Sequence, residues 1–168
     1  MGAVRVDKQS PNLTIRTGVP DDYEAVLAIQ KAAYGLKEAP LYGAGLPPLF
    51  ETPESIADEV KHGITLVVGE IDGHVVASLR AMRLPDRTVH FCRLSVAPDR
   101  QGCGIGQKMT LALESLYPDA PAFILECGEK SDENMHIYTK LGYEKTGKTF
   151  QVENGPFCHE MRKIRRQS

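Results

Sequence analysis

Three glycines at alternate positions, Gly102, Gly104 and Gly106, stand inside the stretch DRQGCGIGQKM and constrain the fold more than any other feature. Glycine weakens a helix, yet these three directly precede Met109, Ala112, Leu113 and Leu116, spaced as the apolar face of a helix over 107–117. Before them, TVHFCRLSV (88–96) has the composition of a strand, and after the helix so does AFILECG (122–128). Strand, glycine turn, helix and strand make a crossover, which predicts that 88–96 and 122–128 run parallel. A glycine turn at a helix entrance aims unpaired N–H groups and the helix dipole at an anion, and a phosphate is the simplest candidate.

The remaining elements fall into place around this crossover. LTIR (13–16) is predicted as a first strand after a polar tail over 1–12, and residues 19–34 as a helix entered through Pro20 and its acids. Thr52 is the expected N-cap of a second helix, with Pro53 in its first turn and Gly63 as its stop. The stretch between these helices, 35–50, is rich in glycine and proline and long for a connection, which marks it as a functional loop. ITLVVGEI, Asp72-Gly73 and HVVASLRAMRL form a hairpin, and Pro85-Asp86-Arg87 turns it into 88–96 as a three-stranded antiparallel meander. Ser131 is expected to cap a short helix that ends at Gly142, and a hairpin across Glu153-Asn154-Gly155 closes the chain. Repeats and a second domain are absent, so 13–168 reads as one domain.

Composition narrows the function. A 168-residue chain with 42% hydrophobic and 25% charged residues can bury a core of its own. Its net charge of −2 gives no reason to expect nucleic acid, and no apolar run approaches the length of a membrane span. Cys92, Cys103, Cys127 and Cys158 form no CxxC pair and show no zinc spacing, so no metal is expected and a reduced, cytoplasmic protein is. Cys158 and His159 are adjacent on a strand, which points them to opposite faces and rules out a working nucleophile–base pair.

Three phosphate-binding patterns compete for the glycine turn. The dinucleotide pattern GxGxxG needs glycine at 107, where Gln107 stands, although Glu126 lies near the place of a ribose-binding acid. The nucleoside-triphosphate pattern GxxxxGK[ST] also fails at Gln107, and again at Met109. Gln101-Gly102-Cys103-Gly104-Ile105-Gly106, by contrast, has the form Q-x-x-G-x-G and follows Val96-Ala97-Pro98. This resembles the pyrophosphate loop of the GNAT acetyltransferases, which follows a strand ending in V-x-P. A second stretch, NMHIYTKLGY (Asn134 to Tyr143), is similar to the family's N-x-x-x-Y-x-x-x-G-[FY]. The order of elements also resembles the family's from the first strand to the last hairpin.

The resemblance implies an α+β fold, a mixed and mostly antiparallel sheet with a splayed parallel strand pair, flanked by helices. It implies that acetyl-coenzyme A lies between strands 88–96 and 122–128. Backbone groups of Leu94, Ser95 and Val96 would then pair with its pantetheine arm, Gln101, Gly102, Cys103, Gly104, Ile105 and Gly106 would cradle its pyrophosphate, and Asn134 and Tyr138 would contact it from the following helix. Cys103 departs from the Arg or Lys common in the family's loop. The implied reaction is direct attack of an amine on the thioester. A backbone N–H near 94–96 would stabilise the oxyanion, and Tyr138 would serve the departing thiolate. A phenol near pKa 10 donating to a thiol near 8.5 is uphill by about 2 kcal/mol, so hydrogen bonding alone is an alternative role for Tyr138.

An alkylammonium near pKa 10.4 must lose a proton before it attacks. His90 occupies the place of the base in histone-acetylating relatives, Glu126 on the partner strand competes with it, and ordered water is the third alternative. The 35–50 stretch is expected to carry acceptor selectivity through Tyr42, Leu46 and Phe50. A small-molecule primary amine is the leading acceptor class, with a peptide or protein amine and a non-catalytic acyl-coenzyme A-binding module as alternatives. A homodimer is compatible with the resemblance.

Overall fold

The computed structural model describes residues 12–153 and 155–166. The predicted 1–12 tail, except Asn12, therefore lies outside the described residues, as does Asn154 of the last hairpin turn. The chain runs β1 (Thr14–Thr17), α1 (Tyr23–Lys37), the one-turn helix α2 (Ala39–Tyr42), α3 (Pro53–Lys61), β2 (Thr65–Ile71), β3 (His74–Arg83) and β4 (Val89–Val96). It continues through α4 (Ile105–Leu116), β5 (Ala122–Gly128), α5 (Asp132–Lys140), β6 (Glu144–Gln151) and β7 (Phe157–Ile164). The seven strands form one sheet in the order β1-β2-β3-β4-β5-β7-β6, antiparallel throughout except for β4 and β5.

Local chemistry accounts for most of these elements. At α3 the Thr52 hydroxyl accepts from the Ser55 N–H at 3.2 Å while the Thr52 N–H donates to Ser55 Oγ at 3.0 Å, and Gly63 leaves the helix at φ +104°. Asp72 and Gly73 take φ of 51° and 77°, the left-handed pair that a tight hairpin turn requires. The expected Ser131 cap is not made. Ser131 precedes α5 without a side-chain bond to the helix, and its hydroxyl donates to Glu38 Oε2 at 2.9 Å instead.

Alternation along the strands divides the core between the two sheet faces. On one face Val89 and Phe91 of β4, Phe123 and Leu125 of β5, and Ile105, Met109 and Leu113 of α4 pack together with Tyr138 and Tyr143. On the other, Leu66 and Val68 of β2 meet Val26 and Leu27 of α1 and Ile56 of α3. The 35–50 stretch is mostly helical rather than an open loop: α1 extends to Lys37, α2 follows, and a 3₁₀ turn spans Pro47–Leu49. Prolines at the first turns of α2 and of the 3₁₀ turn favour this, because their missing N–H is one that a helix start leaves unpaired.

This segment is fastened to the sheet by charge. Arg80, 2% exposed, donates to Glu51 Oε2 at 2.8 Å, to Glu59 Oε2 at 3.0 Å and to Gln30 Oε1 at 2.8 Å. Glu51 also accepts from Gln30 Nε2 at 2.6 Å and from Arg93 Nε at 2.9 Å. Burial by itself would raise the Glu51 carboxyl. The hydrogen bond from Arg80, the charge of Arg93 and the bond from Gln30 outweigh it and hold the carboxyl below its ordinary range.

A carboxyl depressed in the folded state contributes stability that is present above its unfolded value of about 4.3 and is lost as pH falls through the folded value. Glu51→Ala is therefore expected to destabilise the protein by about 1–3 kcal/mol at neutral pH, because it leaves one donor of the buried Arg80 and the Nε of Arg93 unpaired while Glu59 still offsets the Arg80 charge. Chemical denaturation at neutral and acidic pH checks this. The difference between wild type and Glu51→Gln should narrow as the acid range is entered, and a constant difference would contradict the assignment.

Candidate active site

β4 and β5 pair at only two positions, Val89 with Phe123 and His90 with Ile124, after which the strands part. β4 continues to Val96 and β5 to Gly128 on the two sides of a widening split. The change of direction coincides with a bulge in β4. Ser78 of β3 pairs with Ser95 and Arg80 pairs with Cys92, so β4 spends one more residue than its partner over this interval, and Arg93 sits there at φ +57°. A cleft of about 990 Å³ occupies the split. Leu94, Ser95, Val96, Glu126, Tyr138, Asn134 and the glycine turn all line it, except that Cys103, predicted with the turn, does not.

The glycine turn is built as the sequence suggests. Gly102 and Gly104 stand at φ +77° and +78°, and Gly104 is the residue that launches α4. Among the described residues the N–H groups of Gly102 through Gln107 have no carbonyl partner, and the first bond in this stretch is from Lys108 N–H to Gly104 O at 3.1 Å. Six consecutive donors at a helix N-terminus fit a diphosphate. Gln101 plays a different part, since its side-chain amide donates to Val96 O at 3.0 Å and ties the turn to the end of β4. Gly106 is not explained by strain or by lack of space, since a Cβ there would meet Leu94 and Val96 only at ordinary contact distances of 3.7 and 3.9 Å. Arg100, which also lines the cleft, supplies a cation beside the turn that Cys103 does not.

His90 and Glu126, competitors in the sequence, are partners in the structure. His90 Nε2 and Glu126 Oε2 are 2.6 Å apart, with side chains 25% and 28% exposed. Glu126 lines the cleft, whereas His90 stands behind it at the last paired position of the two strands. Tyr138 lies on the other sheet face, edge-on to Phe91 and Tyr143 at centroid distances of 6.2 and 5.9 Å. Its hydroxyl has no hydrogen-bond partner among the described residues. Burial first, and then the neighbouring Tyr34 hydroxyl, push its pKa upward, so it is a phenol at neutral pH. The split in the sheet thus joins a carboxylate on one face to a phenol on the other.

Cys92, Cys127 and Cys158 offer no nucleophile. Burial pushes Cys92 and Cys158 up to about 11 and Cys127 up to about 12, so thiolate is scarce at neutral pH. Among the described residues no group of three or more His, Cys, Asp or Glu is placed to hold a metal, and no helix is long and apolar enough to cross a membrane.

The acceptor-side expectations divide. Tyr42 lines the cleft; its hydroxyl is 2.8 Å from Ser131 Oγ and accepts from the Lys130 N–H at 2.9 Å. Leu46 lines the cleft while only 3% exposed. Phe50 does not belong to it: the 3₁₀ turn carries its side chain outward, 67% exposed and away from the cleft lining. Asn134 donates to Glu38 Oε1 at 3.1 Å, and Lys37 pairs with Glu133 at 3.1 Å. Together with Tyr42, these bonds clasp the end of α1 and α2 to the β5–α5 junction across the split. Sequence reasoning missed Tyr34, Glu51 and Arg93, none of which falls in a motif.

A model of the acetyltransferase (GNAT) family matches residues 29–143 of the chain. No curated protein sequence matches at a significant level. The fold is similar to that of the PaiA N-acetyltransferase of Thermoplasma acidophilum in complex with coenzyme A, with a TM-score of 0.74 and 15% identity over 92% of this chain and 99% of that one. It is similar to YncA of Salmonella typhimurium, solved with its cofactor acetyl-CoA, with a TM-score of 0.72 and 17% identity over 94% and 96% of the two chains. It is also similar to the ribosomal-protein-S18-alanine N-acetyltransferase of Escherichia coli, with a TM-score of 0.72 and 16% identity over 90% and 93%. Identities this low speak to the fold, while the family match spans the meander, the glycine turn and α5 through Tyr143. The chain belongs to the GNAT family of acetyltransferases.

Proposed function

We propose that the protein transfers the acetyl group of acetyl-coenzyme A to a primary amine of a small molecule, by direct attack with both substrates bound. The observation that carries this reading is Glu126, backed by His90, lining the same cleft as the unpaired donors of the glycine turn. The clasp from α1 and α2 to the β5–α5 junction roofs the acceptor side, which favours a compact amine over a peptide threaded through the site.

Acetyl-coenzyme A supplies the activated acetyl thioester. The N–H groups of Gly102 to Gln107 would hold its diphosphate, and the backbone of Leu94, Ser95 and Val96 would meet its pantetheine arm along the open edge of β4. Glu126 receives the proton that the ammonium must lose. His90 acts through Glu126, fixing the carboxylate by its hydrogen bond, and is therefore a positioning residue. As the new C–N bond forms and the C–S bond breaks, the nitrogen gives up its second proton, which solvent carries to the departing thiolate, and the developing oxyanion lies near the backbone N–H groups that follow the bulge. Tyr138 offers its hydroxyl to the departing sulfur. Because burial raises its pKa further, complete proton transfer from Tyr138 to a thiolate is strongly uphill, and its role is that of a hydrogen-bond donor.

Thiol release from acetyl-coenzyme A in a screen of small amines tests the reading, and a protein that binds acetyl-coenzyme A without releasing thiol to any amine would contradict it. With an active amine, Glu126→Gln is expected to lower kcat/KM at neutral pH by a factor of order 10²–10⁴. That deficit should shrink as pH approaches the pKa of the amine, where the acceptor arrives already deprotonated. His90→Gln should show a smaller deficit with the same pH trend. A Glu126→Gln enzyme with unchanged kcat/KM at neutral pH would remove Glu126 from the proton path.

Tyr138→Phe is expected to lower kcat by up to about 10²-fold while leaving the affinity for acetyl-coenzyme A nearly unchanged. Pre-steady-state and calorimetric measurements separate the two quantities. A loss of affinity with kcat intact would make Tyr138 a packing residue.

A further inference from the structure

The bulge in β4 does more than open the split: it changes where Arg93 points. Strict alternation along β4 would send residue 93 to the face of Phe91, among the apolar side chains of α4. The extra residue cancels one alternation. Cys92 and Arg93 therefore both project to the α1 face, where Arg93 Nε donates to Glu51 Oε1 at 2.9 Å, while Leu94 returns to the α4 face. A non-glycine residue at φ +57° is uncommon and disfavoured, so the arrangement persists only because its surroundings enforce it.

Only one edge of the Arg93 guanidinium is used. Its Nε serves Glu51, whereas its two terminal nitrogens have no partner among the described residues and are not sealed from solvent. The side chain is 29% exposed and lines the cleft. Register places it opposite the proposed base. His90 is level with Ile124, Glu126 lies two residues beyond Ile124 on the same face, and the bulge brings Arg93 level with Glu126 at the start of the split. An anion-binding fork and a carboxylate thus face each other across the acceptor side, with the apolar Leu46 and the ring of Tyr34 nearby.

We propose that Arg93 binds a carboxylate carried by the acceptor, which makes the acceptor an amino-acid-type molecule with its ammonium at Glu126 and its carboxylate on the terminal nitrogens of Arg93. This rests on the acetyltransferase reading above and adds the substrate class. A guanidinium edge matches a carboxylate through two parallel N–H donors, and a hydrogen-bonded charge pair of this kind discriminates against the uncharged analogue by roughly ten- to a hundred-fold.

The test compares each amino acid with the amine that lacks only its carboxylate: L-phenylalanine with 2-phenylethylamine, and L-leucine with 3-methylbutylamine. Calorimetry on the wild-type protein saturated with coenzyme A measures binding independently of turnover, and thiol release from acetyl-coenzyme A measures kcat/KM for the same pairs. At least one amino acid should bind ten-fold or more tightly than its paired amine, and Arg93→Gln should erase that preference, read as the ratio of the two affinities in the same variant. Equal or weaker binding of both amino acids than of their paired amines overturns the proposal, as does a preference that survives Arg93→Gln. The wild-type comparison stands even if the variant folds poorly. An amino-acid preference in binding without thiol release would uphold the role of Arg93 and overturn the acetyltransferase reading instead.

Discussion

Two parallel strands that pair at two positions and then diverge leave backbone groups with nothing to bond to. Beyond His90 and Ile124, the facing edges of β4 and β5 have lost their ladder partner, and buried backbone donors and acceptors are rarely left unmatched. Some are satisfied internally, as when Gln101 takes up the Val96 carbonyl. The rest border a cleft that continues into the unpaired N–H groups of the glycine turn. One geometric decision, the parting of β4 from β5, therefore creates the slot, exposes its polar walls and joins the two faces of the sheet at Glu126 and Tyr138.

That parting has its own supports. The bulge places Arg93 in a left-handed conformation, and Glu51 holds it there while also neutralising Arg80. Glu51 follows the 3₁₀ turn after α2, so the same carboxylate that stabilises the bulge also fixes the segment that covers the cleft. Opposite it, Tyr42 and Glu38 tie that roof to Lys130, Ser131 and Asn134. Such networks are weak sources of stability compared with apolar packing, but they are costly to break singly, which suits elements that must hold a fixed geometry around a polar cavity.

The parts of the fold written locally are legible in the sequence. Thr52-Pro53 announces α3, Asp72-Gly73 announces the hairpin, and the glycine turn between strand and helix announces both the parallel pair and a row of unpaired N–H groups. Contacts between distant positions are not legible. Nothing near Arg93 signals a bulge, because the residue is neither glycine nor asparagine and the pairing that enforces its conformation comes from β3. The hub at Glu51 draws on Gln30, Arg80 and Arg93, which lie 21, 29 and 42 residues away. His90 and Glu126 read as rivals because they sit 36 residues apart, and only the register of β4 against β5 makes them a pair. The size of Phe50 and its place in the 35–50 stretch assign it to the acceptor wall, but the 3₁₀ turn before it rotates the side chain out to solvent.

Amide hydrogen exchange with and without acetyl-coenzyme A addresses the central claim most directly, since that claim concerns backbone groups waiting for a ligand. Saturating acetyl-coenzyme A should slow exchange at Gly102 to Gln107 together with the open edge of β4 at Leu94 and Val96, and should leave the β2–β3 hairpin unchanged. Unaltered exchange at the glycine turn, or protection confined to other parts of the protein, would contradict the account of the β4–β5 split as the slot for acetyl-coenzyme A.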